Sequence, residues 1–164
     1  MFVFGHLGFG HQLAGPWRRT LPRWPLAFGM LLPDLIDKPL YYARVSDFIS
    51  CTRTFGHTGL LCLLIFGFGY LLRNRALVAV SLGMVTHFAL DLAMDMMPGG
   101  ESAIDGRSSL WTALTWPLHG GHFVQLYISS IGEHTGKLLN VPMILAELVG
   151  IVLLVRTFRS GKRT

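Results

Sequence analysis

The sequence predicts an all-α bundle integral to a membrane, and three observations carry that prediction. Of 164 residues, 51% are hydrophobic and only 14% are Asp, Glu, Lys or Arg, well under the roughly 25% charged content of soluble domains. Mean hydropathy is +0.48. Long apolar runs recur along the chain, and the ionisable residues inside them fall at helical spacings. The same numbers exclude disorder and a nucleic-acid-binding tail. With Cys51 and Cys62 the only cysteines, and Cys62 inside the apolar run Leu60–Phe66, a disulfide scaffold is excluded too. The length suits one domain over residues 1–164.

About five helices are expected: two short N-terminal ones and three longer transmembrane ones. Phe2–Ala14 is apolar apart from His6 and His11 and closes at Gly15-Pro16. It lacks the basic stretch that opens a cleaved signal peptide. Trp24–Ile36 follows Arg18, Arg19 and Arg23 and ends among Asp34 and Asp37. Each of these reaches only about 20 Å as a helix, so a helical hairpin packed against the longer helices is expected. Gly59–Leu72 is uncharged and stops at Arg73-Asn74-Arg75. Ala76–Met97 is long enough to cross but carries His87, Asp91 and Asp95. Leu138–Val155 is apolar except for Glu147 and runs into Arg156, Arg159, Lys162 and Arg163. Residues 98–137, rich in Gly and Ser with Trp111, Trp116 and Tyr127, read as a long irregular loop resting on the membrane interface.

Basic residues set orientation. A chain zigzagging through all five segments places 16–23, 73–75 and the tail from 156 on one side. Those stretches hold nine of the fourteen Lys and Arg (Arg18, Arg19, Arg23, Arg73, Arg75, Arg156, Arg159, Lys162, Arg163) and no acid. That side is therefore expected to be cytoplasmic, as in a multi-pass bacterial inner-membrane protein with its N-terminus outside.

Ionisable groups inside apolar helices are costly and need a partner or a function. His87 and Asp91 are four residues apart and share a helix face, which Asp95 continues. Counted from Met97, Asp91 lies about 9 Å and His87 about 15 Å along the helix. Asp34 and Asp37 sit near the outer end of their segment, His57 opens the next helix, and His6 lies near the outer end of the first. Taken singly, each is more often a hydrogen-bonded core residue than a ligand. Together they place three imidazoles and three carboxylates at one depth, a set that a divalent cation would neutralise. The expected metal ligands are His6, Asp34, Asp37, His57, His87 and Asp91. With no thiolate in the set, Zn²⁺ suits best, or Mn²⁺ or Fe²⁺.

The run Gly29-Met-Leu-Leu-Pro-Asp-Leu-Ile-Asp-Lys-Pro39, then Arg53-Thr-Phe-Gly-His-Thr58, then Leu82-Gly-Met-Val-Thr-His-Phe-Ala-Leu-Asp91, resembles the membrane-bound metal-dependent hydrolase family typified by the LexA-regulated YdjM proteins. Its N-terminal His, LPD-D, R-x-x-x-H-S/T, G-x-x-x-H-x-x-x-D and Trp-Pro motifs look like His6, Asp34 with Asp37, His57, His87 with Asp91, and Trp116-Pro117. The match runs in order over residues 6–117. Two positions depart from it: Lys38 follows Asp37 where many members have His, and Thr52 replaces another His. Both remove a nitrogen ligand. The resemblance implies a metal site first, and hydrolysis after it.

A cation in such a site polarises a phosphoryl or acyl oxygen and lowers the pKa of bound water to about 7. Asp37, one turn from Asp34, is the expected proton acceptor. The expected substrate is a phosphoester, lipid-like because amphiphiles reach a bilayer-embedded site most easily. Membrane lipid and an amphiphilic small molecule are thus the expected partners, and nucleic acid is not. Two other readings stay open: a transporter or ion-binding protein using the same polar cluster, and a non-catalytic protein whose metal ties helices together. Glu147 reads equally as a partner of a ligand His or as an acid bonding a neighbouring helix. His11 points to another face than His6. His119 and His122, in a Gly-rich stretch, are more often solvated.

Overall fold

The structure is a computed structural model that describes residues 3–43, 51–96, 109–118, 123 and 141–160. Every regular element among them is helical: α1 (Val3–Leu13), α2 (Trp17–Thr20), α3 (Arg23–Tyr42), a 3-10 turn (Phe55–His57), α4 (Gly59–Leu71), α5 (Arg75–Asp95), α6 (Ser109–Thr115) and α7 (Val141–Ser160).

Local chemistry explains where these helices begin. Thr58 accepts from the Leu61 amide and caps α4. Asn74 accepts from the amides of Ala76 and Leu77 and caps α5. Both supply the side-chain oxygen that the first free N–H groups of a helix require.

Helix α5 is central. It packs on α3, α4 and α1, while α1 packs chiefly on α7. The approach of α3 to α5 is close because Gly29 lies on the Val80 carbonyl and Gly83 on the Leu26 carbonyl, where any side chain would collide. One core cluster joins Ala14, Leu26, Met30 and Ala79; another joins Cys62, Met84, Phe88 and Leu110. Among the described residues, two helices are long and apolar enough to cross a membrane, α5 and α7. They differ in surroundings: 56% of the α5 window is buried against only 6% of the α7 window.

Two sequence expectations change here. Trp24–Ile36 is expected to end among Asp34 and Asp37, but α3 continues for six residues past Ile36 to Tyr42, with Pro33 and Pro39 inside it. A proline removes a donor and crowds the preceding turn. The donor missing at Pro33 is the one that would serve the Gly29 carbonyl; the next carbonyl, Met30 O, accepts from His87 Nδ1 of α5 at 2.7 Å. Within 98–137, residues 109–115 form α6 instead of irregular chain, with Leu110 and Ala113 buried against their neighbours. The rest of that stretch apart from 116–118 and 123, including His119 and His122, lies outside the described residues, as do Met97 and Leu138 to Asn140.

Candidate metal centre

Four separate stretches contribute to one cluster. His6 comes from α1, Asp34 from α3, His57 from the 3-10 turn, and His87 with Asp91 from α5. The nearest approach is between two ring nitrogens: His57 Nε2 and His87 Nε2 lie 3.1 Å apart. Asp91 Oδ2 is 3.5 Å from His57 Nε2 and 3.7 Å from His87 Nε2. Asp34 Oδ1 is 3.9 Å from each of the same nitrogens. Four ligands held tetrahedrally at about 2.0–2.2 Å from a cation stand about 3.3–3.6 Å from one another. The observed separations bracket that range.

The other ring nitrogens fix the chemistry of the facing pair. His87 Nδ1 meets the Met30 carbonyl, which can only accept, so Nδ1 carries the proton. His57 Nδ1 donates to Asp37 Oδ2 at 2.7 Å. In the neutral rings both Nε2 atoms therefore present lone pairs to each other, which repel unless a cation lies between them or one is protonated. Histidines that bind a metal are oriented in the same way, by an acceptor behind the ring.

Asp37 occupies a different place from the one its spacing suggested. It is fully buried and both oxygens are engaged, Oδ1 by Thr54 Oγ1 and the Gly56 amide, Oδ2 by the amides of Thr54 and His57 and by the His57 ring. It faces the turn and not an opening. The turn can lie this close to α3 because Gly56 rests on the Pro33 carbonyl, where a side chain would collide. Asp37 thus orients His57 from behind, in place of the ligand and proton-accepting roles expected of it.

His6 is buried and stacked on His87, ring centroids 4.1 Å apart. Its Nε2 lies 3.6 Å from Asp91 Oδ1, and its Nδ1 is buried without a hydrogen-bond partner. Its ligand atom, with those of Asp34 and His87, forms a second group compact enough for a metal ion beside that of His57, His87 and Asp91.

Sequence reasoning gave no role to Arg53. Its Nε lies 3.2 Å from Asp91 Oδ2 and its Nη1 donates to Asp95 Oδ2 at 2.7 Å. Lys38 likewise bonds Asp34 Oδ2 at 2.6 Å, one helical turn away. The signal available for Arg53 was its place four residues before His57. Glu147 is remote from the cluster. It accepts from the amides of Phe4 and Gly5 at 3.0 and 2.9 Å, occupying the N-terminus of α1. His11 is buried on its own helix, with Nδ1 3.1 Å from Leu7 O.

Counted among the described residues and with neutral imidazoles, the cluster holds the carboxylates of Asp34, Asp37, Asp91 and Asp95 against the cations of Lys38 and Arg53. The remaining two negative charges equal the charge of one divalent ion. Compared with known proteins, the chain matches no family model, no curated protein and no solved structure.

Proposed function

We propose that this chain is a multi-pass protein of an inner membrane that holds one divalent cation, Zn²⁺ for preference, and hydrolyses an ester presented from the bilayer. The observation that carries the reading is the facing pair of Nε2 atoms at 3.1 Å, with both Nδ1 atoms held from behind. His57 Nε2, His87 Nε2 and Asp91 Oδ2 are the ligands, with Asp34 Oδ1 standing 3.9 Å from both ring nitrogens and His6 on the other oxygen of Asp91. The charge balance favours one divalent ion over two. The resemblance of the motifs to membrane-bound metal-dependent hydrolases is in keeping with it.

When bound, the ion would polarise the scissile ester and lower the pKa of a water to about 7. The protein's own residues divide the remaining work. Asp37 holds the tautomer and the orientation of His57, and the Met30 carbonyl does the same for His87. Asp34 is the part-exposed carboxylate of the set, 21% against 7% for Asp91 and none for His57 and His87. It is the one placed to accept a proton on the solvent side. A structural metal site is closed on all sides; a graded exposure of this kind favours an open coordination position.

The membrane reading is supported by α5 and α7 and by apolar side chains left outside the fold, among them Leu63, Phe68 and Leu71 of α4 and Val152 of α7. Metal analysis of detergent-purified protein, paired with a hydrolase substrate screen, tests the proposal. One equivalent of a divalent metal per chain and metal-dependent turnover are expected. Protein that is folded and carries no metal after reconstitution with Zn²⁺, Mn²⁺ or Fe²⁺ would overturn it.

A further inference from the structure

Away from the cluster, the start of α3 and the end of α7 meet. Trp24 packs on Phe158, ring centroids 6.4 Å apart, so their chain neighbours Arg23 and Arg159 stand at one ring pair. Gln12 of α1 donates to Thr157 Oγ1 at 3.2 Å and accepts from Arg18 Nη1 at 3.3 Å, which brings Arg18 to the residue that follows Arg156. Among the described residues none of these four arginines bonds a carboxylate. The described acids are engaged elsewhere: Asp34 by Lys38, Asp91 and Asp95 by Arg53, Asp37 by the 3-10 turn, and Glu147 by the first amides of α1. Uncovered apolar surface continues from the same corner. Trp24 is 78% exposed, and Phe28, one turn further along α3, is exposed as well. On α7, Ile151, Val155 and Phe158 lie at spacings of four and three and are also exposed, and only 6% of that helix's window is buried.

We infer that this corner binds an acidic phospholipid, with Arg18, Arg23, Arg156 and Arg159 around the head-group phosphate and Trp24 and Phe158 against the glycerol and the upper acyl chains. The inference rests on the membrane reading above and goes beyond it. Orientation by positive charge asks only on which side the bases lie, whereas a site asks that particular arginines meet one head group. The partner is fixed by two complementary features in one place: guanidiniums without acids call for an anion, and the apolar stripe that runs on from them along α3 and α7 calls for a tail. A soluble anion would satisfy the first and leave the second in water. Guanidiniums suit a phosphate because their paired N–H donors match its oxygens, and exposed Trp rings sit at the depth of the head groups. Each Lys or Arg near an acidic bilayer surface strengthens binding about fivefold. The corner stands apart from the metal centre, so the lipid held there is a partner of the fold and not the ester that the centre would cleave.

The test uses the full chain in detergent and reads the temperature of thermal unfolding, which a ligand of the folded state raises. Dioctanoyl phosphatidylglycerol is titrated beside dioctanoyl phosphatidylcholine, which has the same tails and no net charge. Inorganic phosphate and a duplex oligonucleotide serve as anions without tails. The phosphatidylglycerol should act at concentrations at least about tenfold below the phosphatidylcholine, and inorganic phosphate should give no shift in that range. R23Q and R159Q, both exposed positions, should each weaken phosphatidylglycerol about fivefold. R73N removes the same charge at the turn between α4 and α5, where Asn suits the φ of 51°, and should weaken it by less than about twofold. Equal action of the two lipids overturns the inference, since apolar surface alone would then be at work. So does a shift by phosphate or by the oligonucleotide at or below the lipid concentrations, which would make the corner a site for soluble anions or for nucleic acid. Unchanged affinity in both R23Q and R159Q, or R73N as harmful as either, overturns it too, because the attraction would then be diffuse. Protein that stays in solution without detergent defeats the membrane reading itself, a failure seen at purification before any lipid is added.

Discussion

Replacing Asp37 by Asn leaves the volume almost unchanged but converts one of two acceptor oxygens into a donor group. The carboxylate receives five hydrogen bonds from Thr54, Gly56 and His57, so at least one buried N–H or O–H must then face another donor. Because outer partners of a metal ligand typically set 10–100-fold of affinity, D37N should weaken metal binding by about that factor, read by competition against a chelator. Asp91→Asn removes a ligand charge and the partner of Arg53, so loss of metal with a modest fall in thermal stability is expected. Full metal retention with wild-type activity would defeat the site. His57 lies in a turn outside the helices, and its pKa is pushed up to about 8: burial pulls it down, but the carboxylates of Asp37 and Asp91 outweigh that. In metal-free protein this raised value stabilises the fold fully below about pH 6.5, the ordinary value, and the contribution is lost as pH rises through 8. Metal uptake runs the other way, since the ligand must be deprotonated: near pH 7 it should release about one proton, measurable calorimetrically in buffers of different ionisation enthalpy. At this scale the sequence was informative wherever an ionisable residue interrupted an apolar run, as at His6, Asp34, His87 and Asp91. It was silent on Arg53, because an arginine between helices is ordinarily solvated and its partners lie about forty residues away, Asp95 at a separation of 42. Asp37 was found but misplaced, since spacing gives a helix face and not what that face meets.

Helix α1 meets α7 at two points. Its first free amides, on Phe4 and Gly5, are taken by Glu147, and Gly8 lies directly on the Gly150 backbone. A carboxylate at a helix N-terminus contributes typically 0.3–1 kcal/mol and up to about 2 kcal/mol when partly buried. Glu147→Ala should therefore destabilise the protein by about 1 kcal/mol, and, because His6 is the next residue of α1, metal affinity should fall with it. Gly150→Val should do more, since a branched side chain there meets the Phe4 carbonyl and the Gly5 backbone and must push the helices apart. Thermal melting in detergent with and without metal checks both; an unchanged melting temperature in both variants would show that α1 is seated by other contacts. The order of these helices was readable from apolar runs and their basic or Gly-Pro ends. Two things were not. Helix α3 runs on past Ile36 and through Pro39 to Tyr42 where the turn of Phe55–His57 packs on it and hydrogen-bonds Asp37, a contact distant in sequence that local spacing does not announce. Helix α6 has no long apolar run to announce it; seven residues take helical form against the turn and α4.

Among the described residues, basic side chains gather at one end of the bundle and the cluster's carboxylates lie away from it. Arg75 reaches the Thr20 carbonyl, Arg18 bonds Gln12, Gln12 bonds Thr157 of α7, and Trp24 packs on Phe158. The basic stretches 17–23, 73–75 and 156–159 thus gather at one end, with Trp17 and Trp24 exposed there. Asp34, Asp37, Asp91 and Asp95 lie together away from that end, on the cluster that Arg53 and Lys38 close. Such an end suits the cytoplasmic head-group layer, where Lys and Arg are retained and Trp rings sit at the interface. Helix α3, at 20 residues, spans about 30 Å, more than its apolar run alone suggested, yet it carries Arg23, Asp34, Asp37 and Lys38 and is held inside by α5. The orientation can be tested without deciding whether α1, α3 or α4 crosses fully. Among the described helices, α5 alone lies between Arg75 and Gly106, and α6 and α7 lie between Gly106 and Thr164, of which α7 is long enough to cross. Reporter fusions after Arg75 and after Thr164 should both read cytoplasm, and a fusion at Gly106 should read the opposite side. If Gly106 reads cytoplasm as well, α5 does not cross, and the candidate centre near its far end would belong to a water-facing protein. If all three sides invert, the helices cross as argued but the basic end faces outward, and the substrate would have to reach the centre from within the cell.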